Sequence, residues 1–234
     1  MGLSLRCRTK PEQKASLGAE RPAARVVPGG DRPAEGGSGP RICPLETAPP
    51  MQIVLVHPQI PHNSGCAARL AAATGTRLHL VEPLGFSLED RYLKRAGLDY
   101  WPQVDLVVHR TWSDAARTLR KGSGRPLEER LHLFSARGGS GLFETAFEPD
   151  DVLVFGSETS GLPAELLTDF ASRRVYVPIR AGVRSLNLAN VVCLAVYTAL
   201  DRAGAPLPDN DGSYAAPESL EPSSPEAIAR RSDP

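Results

Sequence analysis

Before residue 51 the apolar side chains follow no period; after it they arrive in short continuous runs separated by stretches of helical spacing. Segment 52–56 (QIVLV) reads as a strand, and 63–74 (NSGCAARLAAAT) as an alanine-rich helix with Asn63 placed as its N-cap. Residues 78–81 (LHLV) predict a second strand closed by Glu82-Pro83, and 88–96 (LEDRYLKRA) an amphipathic helix stopped by Gly97. Further strands are expected at 105–108 (DLVV), 131–135 (LHLFS), 152–155 (VLVF) and 174–177 (RVYV), with helices near 113–120, 163–170 and 186–203. Strands that do not alternate between apolar and polar residues, each followed by a helix, predict a parallel sheet flanked by helices: the fold class is α/β. The run ANVVCLAVYTAL after Leu188 is apolar around most of its circumference, so the last helix needs cover on two sides. Either its own subunit or its own subunit plus a partner would supply that cover.

Composition divides the chain. Its 234 residues carry 27 basic and 27 acidic side chains and are 41% hydrophobic, which excludes a coiled coil, a collagen-like repeat and a wholly disordered protein. The neutrality is an average: residues 1–50 hold 8 basic and 5 acidic side chains, 51–204 hold 17 and 16, and 205–234 hold 2 and 6. With proline and glycine concentrated in the head and proline in the tail, 1–50 and 205–234 predict as disordered around one folded domain at 51–204. The basic head reads equally as a plastid or mitochondrial transit peptide and as a plain extension of a cytoplasmic protein. The longest nearly apolar run, 191–200, is about half of the roughly 20 residues a membrane span needs, so no membrane association is expected. Cys7, Cys43, Cys66 and Cys193 form no C-x-x-C pair and no Cys/His cluster, so neither a metal nor a disulfide framework is expected.

Ligands of open parallel sheets bind beyond the carboxyl ends of the strands. Three turns there carry polar side chains: 57–65 (HPQIPHNSG), 156–163 (GSETSGLP) and 178–190, which ends in RSLNLAN. The dinucleotide fingerprint G-x-G-x-x-G and the phosphate loop G-x-x-x-x-G-K-[ST] are both absent. The glycine-rich stretch 138–141 reads as a flexible loop, and 156–160 lacks the glycine register of a G-x-S-x-G nucleophile elbow.

Segments 60–86 (IPHNSGCAARLAAATGTRLHLVEPLGF), 93–101 (LKRAGLDYW), 154–163 (VFGSETSGLP) and 183–192 (VRSLNLANVV) resemble, in order and spacing, the SPOUT class of RNA 2′-O-ribose methyltransferases. Within it they look like the TrmL (YibK-like) type, which methylates the wobble nucleotide of certain tRNAs. The likeness covers 51–204 and implies a SPOUT fold with a C-terminal trefoil knot, S-adenosyl-L-methionine as methyl donor without a metal, and a homodimer acting on tRNA. Ribosomal RNA methylation and a catalytically silent RNA-binding dimer are the alternatives. The family often has Thr at Ser64, a basic residue at Ser160 and Ser at Ala189, departures that bear on RNA affinity and substrate choice.

By the same resemblance, Arg69 is the residue tied most closely to catalysis, with Asn63, Glu158, Ser185 and Asn187 beside it. An arginine has too high a pKa for easy proton abstraction, so its planar fork is expected to grip a phosphate and orient the ribose hydroxyl, with transient deprotonation as the alternative. Without the resemblance Arg69 is an isolated surface arginine, and Asn63, Ser185 and Asn187 are ordinary caps. Donor contacts are implied at Phe134, Gly156, Gly161, Val177, Ser185 and Leu186; the apolar members would equally serve a core. Basic clusters at Arg91, Lys94 and Arg95 and at Arg173, Arg174, Arg180 and Arg184 are the candidate RNA-facing charges.

Overall fold

The computed structural model describes residues 51–88, 103–205, 207 and the backbone of 230–231. The head 1–50, most of the tail, and all but the first residue of the helix expected at 88–96, with its basic cluster, lie outside the described residues. In chain order the elements are β1 (Gln52–Val56), α1 (Pro61–Thr74), β2 (Arg77–Val81), β3 (Leu106–His109), α2 (Trp112–Leu119), α3 (Leu127–Arg130), β4 (Leu131–Phe134) and β5 (Ser140–Gly141). There follow β6 (Val152–Phe155), α4 (Ala164–Asp169), β7 (Arg174–Tyr176), α5 (Leu188–Arg202) and β8 (Arg230–Arg231).

The strands form one sheet in the order β5-β7-β4-β6-β1-β2-β3-β8, and every pairing is parallel. Its two faces explain the unbroken apolar strands. Ile53 and Leu55 of β1 point into a core with Leu78, Leu80, Leu153 and Phe155, covered by Ala67, Ala68 and Ala71 of α1 and Val192, Ala195 and Val196 of α5. Val54 and Val56 point the other way, with Leu131, Leu133 and Val154, under Ala115 and Leu119 of α2, Leu127 of α3 and Leu166 of α4. The alanines of α1 let it pack closely on α5.

Two polar clusters are buried in the fold. Before β4 and β6, the fully buried Arg130 donates to the Asp150 and Leu119 carbonyls at 2.7–2.9 Å. Arg125 bridges Asp150 and Asp151 at 2.6 and 3.0 Å. Burial alone would raise the Asp150 carboxyl; hydrogen bonds from Ser123 and Arg125 and the charges of Arg125 and Arg130 outweigh it and hold it below the usual range. Under α2, His79 Nε2 lies 2.9 Å from Gln52 Oε1 and its Nδ1 lies 2.8 Å from His109 Nε2. With Gln52 as acceptor, both imidazoles are neutral and protonated on Nε2. Burial first, then the neighbouring His109, lowers His79 to about 3.

Three expectations need correction. Helix α1 begins at Pro61 with Ile60 as its N-cap, so Asn63 is not a cap; proline at the first helical position, with no N–H to satisfy, moves the start earlier. Part of the glycine-rich stretch is not loop, because Ser140 and Gly141 pair with Val175 and Tyr176 of β7 as an edge strand. The last helix starts at Leu188 rather than 186, because Asn187 caps it.

Candidate active site

Strands β1 and β6 are neighbours, with Leu55 opposite Phe155. The chain leaves β1 toward β2 on one side and leaves β6 toward β7 on the other. Connections that diverge in this way leave a crevice over the strand carboxyl ends. After β1, His57 takes a left-handed φ of 53° and its N–H reaches the Val81 carbonyl at 3.0 Å. Pro58 and Pro61, which have no N–H, bracket Gln59 and Ile60 and leave those two amides as the donors of the turn.

Opposite them stands Glu158. Its Oε2 accepts the Gln59 N–H at 2.8 Å, and its Oε1 accepts the Ile60 N–H at 3.2 Å and Asn63 Nδ2 at 2.9 Å. Asn63, 2% exposed, accepts on Oδ1 from Asn187 Nδ2 at 3.0 Å. Asn187 Oδ1 in turn accepts the Ala189 and Asn190 amides that open α5, at 2.9 and 3.3 Å. The residue types fit the order: a carboxylate only accepts, so it ends the chain, while each primary amide donates on one side and accepts on the other. One continuous chain of hydrogen bonds therefore ties together the turns after β1, β6 and β7.

A short hairpin presents Glu158. Ser157 and Gly161 exchange backbone hydrogen bonds of 3.1 and 2.9 Å, and the Ser157 hydroxyl meets that of Ser160 at 2.7 Å. Gly156 is required because the Gly161–Leu162 backbone folds over the place its Cβ would occupy, and Gly161 closes the turn at φ 71°. Both glycines thus serve the chain's own turn.

The other expected residues distribute unequally. Phe134 is buried against Phe155, rings 4.5 Å apart, Val177 is half-buried, and Ser185 and Leu186 are exposed in the connection between β7 and α5. From Pro178 to Leu186 that connection makes one backbone hydrogen bond among the described residues, Val183 N–H to Arg180 C=O. Its other main-chain donors and acceptors have no partner among the described residues, and beside them stand the apolar Val183 and Leu186, 53% and 41% exposed. Arg69 is exposed on α1; six residues of helix turn it about 120° from Asn63 and carry it about 9 Å along the axis, so it does not share Asn63's inward direction. The Gln59 and Ile60 amides are not visible in the sequence, because main-chain donors leave no signature beyond the flanking prolines.

A parallel α/β sheet whose connections diverge between β1 and β6 belongs to the class in which ligands bind beyond the strand carboxyl ends. Residues 50–197 match the SpoU rRNA methylase family. The chain belongs to that family. It is 46% identical over 153 residues to the tRNA (cytidine(34)-2'-O)-methyltransferase of Burkholderia ambifaria, covering 65% of this chain and 95% of the relative. A solved structure giving insights into the 2-OH methylation of C/U34 on tRNA is 45% identical with a TM-score of 0.60, over 67% of this chain and 99% of that one. The SpoU methyltransferase AviRb of Streptomyces viridochromogenes, solved in complex with the cofactor AdoMet, shares the fold at 22% identity and a TM-score of 0.58, over 66% and 58% of the two chains.

Proposed function

We propose that this chain is a tRNA 2′-O-ribose methyltransferase acting on the wobble nucleotide, position 34, of the anticodon loop. The observation that carries the reading is the Glu158–Asn63–Asn187 chain, in a protein 46% identical to a tRNA (cytidine(34)-2'-O)-methyltransferase. S-adenosyl-L-methionine fits the connection after β7, where main-chain groups without a partner among the described residues and the exposed Leu186 would offer hydrogen bonds and an apolar surface to an adenosine. Phe134, Gly156, Gly161, Val177, Ser185 and Leu186 would hold it, and it would supply an electrophilic methyl group on a sulfonium.

Glu158 and Asn63 fix the turn after β1 against the turn after β6, and Asn187 adds the start of α5. Ser185, exposed two residues before that cap, is available to contact substrate. Arg69 grips an RNA phosphate and aligns the ribose hydroxyl; its outward direction on α1 suits action in a site shared between two subunits. Arg110, Arg137, Arg180 and Arg184 stand on the connections after β3, β4 and β7, and none forms an ion pair with another described residue. They supply a positive rim for the phosphate backbone in an otherwise nearly neutral domain.

The homodimer is supported by α5, whose outer stripe consists of the exposed Cys193, Leu194 and Tyr197, with Leu194 38% and Tyr197 44% exposed. A second copy packed on this stripe would cover it. The trefoil knot and a single methyltransferase domain at 51–204 belong to the same proposal. For the head, sequencing the N-terminus of the mature protein separates an organelle address from a plain extension. Among the described residues no helix is long and apolar enough to cross a membrane.

The test is methyl transfer from labelled S-adenosyl-L-methionine to tRNA by wild type and Arg69→Ala. Label at nucleotide 34 with wild type and a loss of at least 100-fold with the variant, on the order reported for removing one transition-state donor, supports the reading. Label on ribosomal RNA alone, or on no RNA, overturns it, and equal incorporation by the two proteins removes Arg69 from the mechanism.

A further inference from the structure

Segment 82–86 (EPLGF) follows β2 and has no part in the chain of hydrogen bonds just described. Its glycine nonetheless touches that chain. The Gly85 N–H donates to the Pro58 carbonyl at 2.9 Å, and a Cβ on Gly85 would lie 2.5 Å from Gln59 O and 2.7 Å from Gln59 Cα. Its φ lies outside the left-handed range, so the position needs glycine for space and not for conformation. The atoms in the way are backbone, which cannot swing aside as a side-chain tip can. Gln59 is the residue whose amide donates to Glu158 Oε2, and the next amide, that of Ile60, donates to Oε1. The turn is thus pinned at His57 by Val81, at Pro58 and Gln59 by Gly85, and at Gln59 and Ile60 by Glu158.

We propose that Gly85 is a positioning residue that acts through Gln59: its missing side chain lets the loop after β2 press on the turn after β1 and hold the Gln59 and Ile60 amides on the Glu158 carboxylate. An alanine there forces the turn to move by roughly 1 Å to restore ordinary contact distances. Hydrogen bonds already at 2.8 and 3.2 Å do not survive a displacement of that size in good alignment. The consequence for catalysis rests on the methyl-transfer reading above; the consequence for the amides does not.

Amide hydrogen exchange on the full chain reads the second directly. Gly85→Ala is expected to raise exchange at Gln59 and Ile60 about 10-fold or more, to the level seen in Glu158→Ala, and to add nothing further in the double variant. In methyl transfer the same variant lowers kcat by roughly 10- to 100-fold while KM for tRNA changes by less than about 2-fold. Unchanged protection of both amides in folded Gly85→Ala overturns the proposal, as does an equal further loss of protection in the Glu158→Ala background. Should Gly85→Ala fail to fold, Gln59→Gly, which loosens the struck backbone, serves as the reference: exchange at residues 59 and 60 about 10-fold faster in the Gln59→Gly, Gly85→Ala double variant than in Gln59→Gly alone supports the proposal, and equal exchange overturns it. A wild-type protein that transfers no methyl refutes the proposed function, while the exchange measurement still decides the role of Gly85.

Discussion

Asn63→Asp tests the crevice with almost no change of shape. The substitution replaces the Nδ2 donor, 2.9 Å from Glu158 Oε1, with a carboxylate oxygen. Two unit charges at that separation repel by about 6 kcal/mol at an effective dielectric of 20. The pair has a cheaper escape, which is to share a proton. Protonating a carboxyl whose ordinary pKa is near 4 costs about 4 kcal/mol at pH 7 and about 1.4 kcal/mol at pH 5. Protonation therefore sets the limit, and the variant is expected to lose about 4 kcal/mol at pH 7. At about 2–4 °C per kcal/mol for a chain of this size, Tm falls by roughly 8–16 °C at pH 7 and by only about 3–6 °C at pH 5. Thermal melts of both proteins at both pH values isolate the effect, because whatever acid does elsewhere in the fold is common to the two. A variant within about 2 °C of wild type at pH 7, or a deficit that does not shrink on acidification, refutes the close Asn63–Glu158 contact.

Other consequences follow from the buried polar clusters and the outer face of α5. Arg130→Met leaves the Asp150 and Leu119 carbonyls without their donors and removes a cation held 3.0 Å from the Asp150 carboxylate; a loss of about 3 kcal/mol is expected in urea unfolding, and a loss under 1 kcal/mol contradicts the arrangement. His79 is depressed to about 3 in the folded protein, so the unfolded chain alone binds a proton below pH 6.5. Stability should then drop by about 2 kcal/mol on going from pH 7 to pH 5, continuing until pH nears 3. His79→Leu, less stable at pH 7, should lack that part of the slope; an unchanged slope assigns it to other groups. Leu194→Glu with Tyr197→Glu places two carboxylates on the exposed stripe of α5 and is expected to convert a dimer to a monomer in sedimentation, with the thermal melt still cooperative.

Much of this architecture is legible in the sequence, and the reasons are local. Unbroken runs such as QIVLV and VLVF mark strands buried on both faces, and the helices between them force a parallel sheet. The meeting of Asn63, Glu158 and Asn187 is less local. The rule that ligands bind beyond strand carboxyl ends names the turns, and the family resemblance names the residues, but the contacts span 95 and 124 positions of sequence. Asn63 suits a cap by residue type, whereas Pro61 moves the helix start earlier and turns Asn63 inward. Edge strand β5 is two residues long and has no pattern of its own; only its pairing with β7 defines it. Arg130, fully buried, contradicts every composition rule for its residue type, since its partners are carbonyls distant in sequence. Gly85 is visible as a glycine but not as a spacer, because the atom it makes room for belongs to another turn.

The central claim is that the turns after β1, β6 and β7 form one site for ribose methylation at the wobble position. Mass mapping of ribose methyl groups in tRNA from cells lacking this protein tests it most directly, with wild type and Glu158→Ala restored from the same promoter. The account predicts that the 2′-O-methyl group at nucleotide 34 disappears from a subset of tRNAs, returns with wild type and stays reduced with the variant. TRNA from the deficient cells that is fully methylated at nucleotide 34 would contradict it.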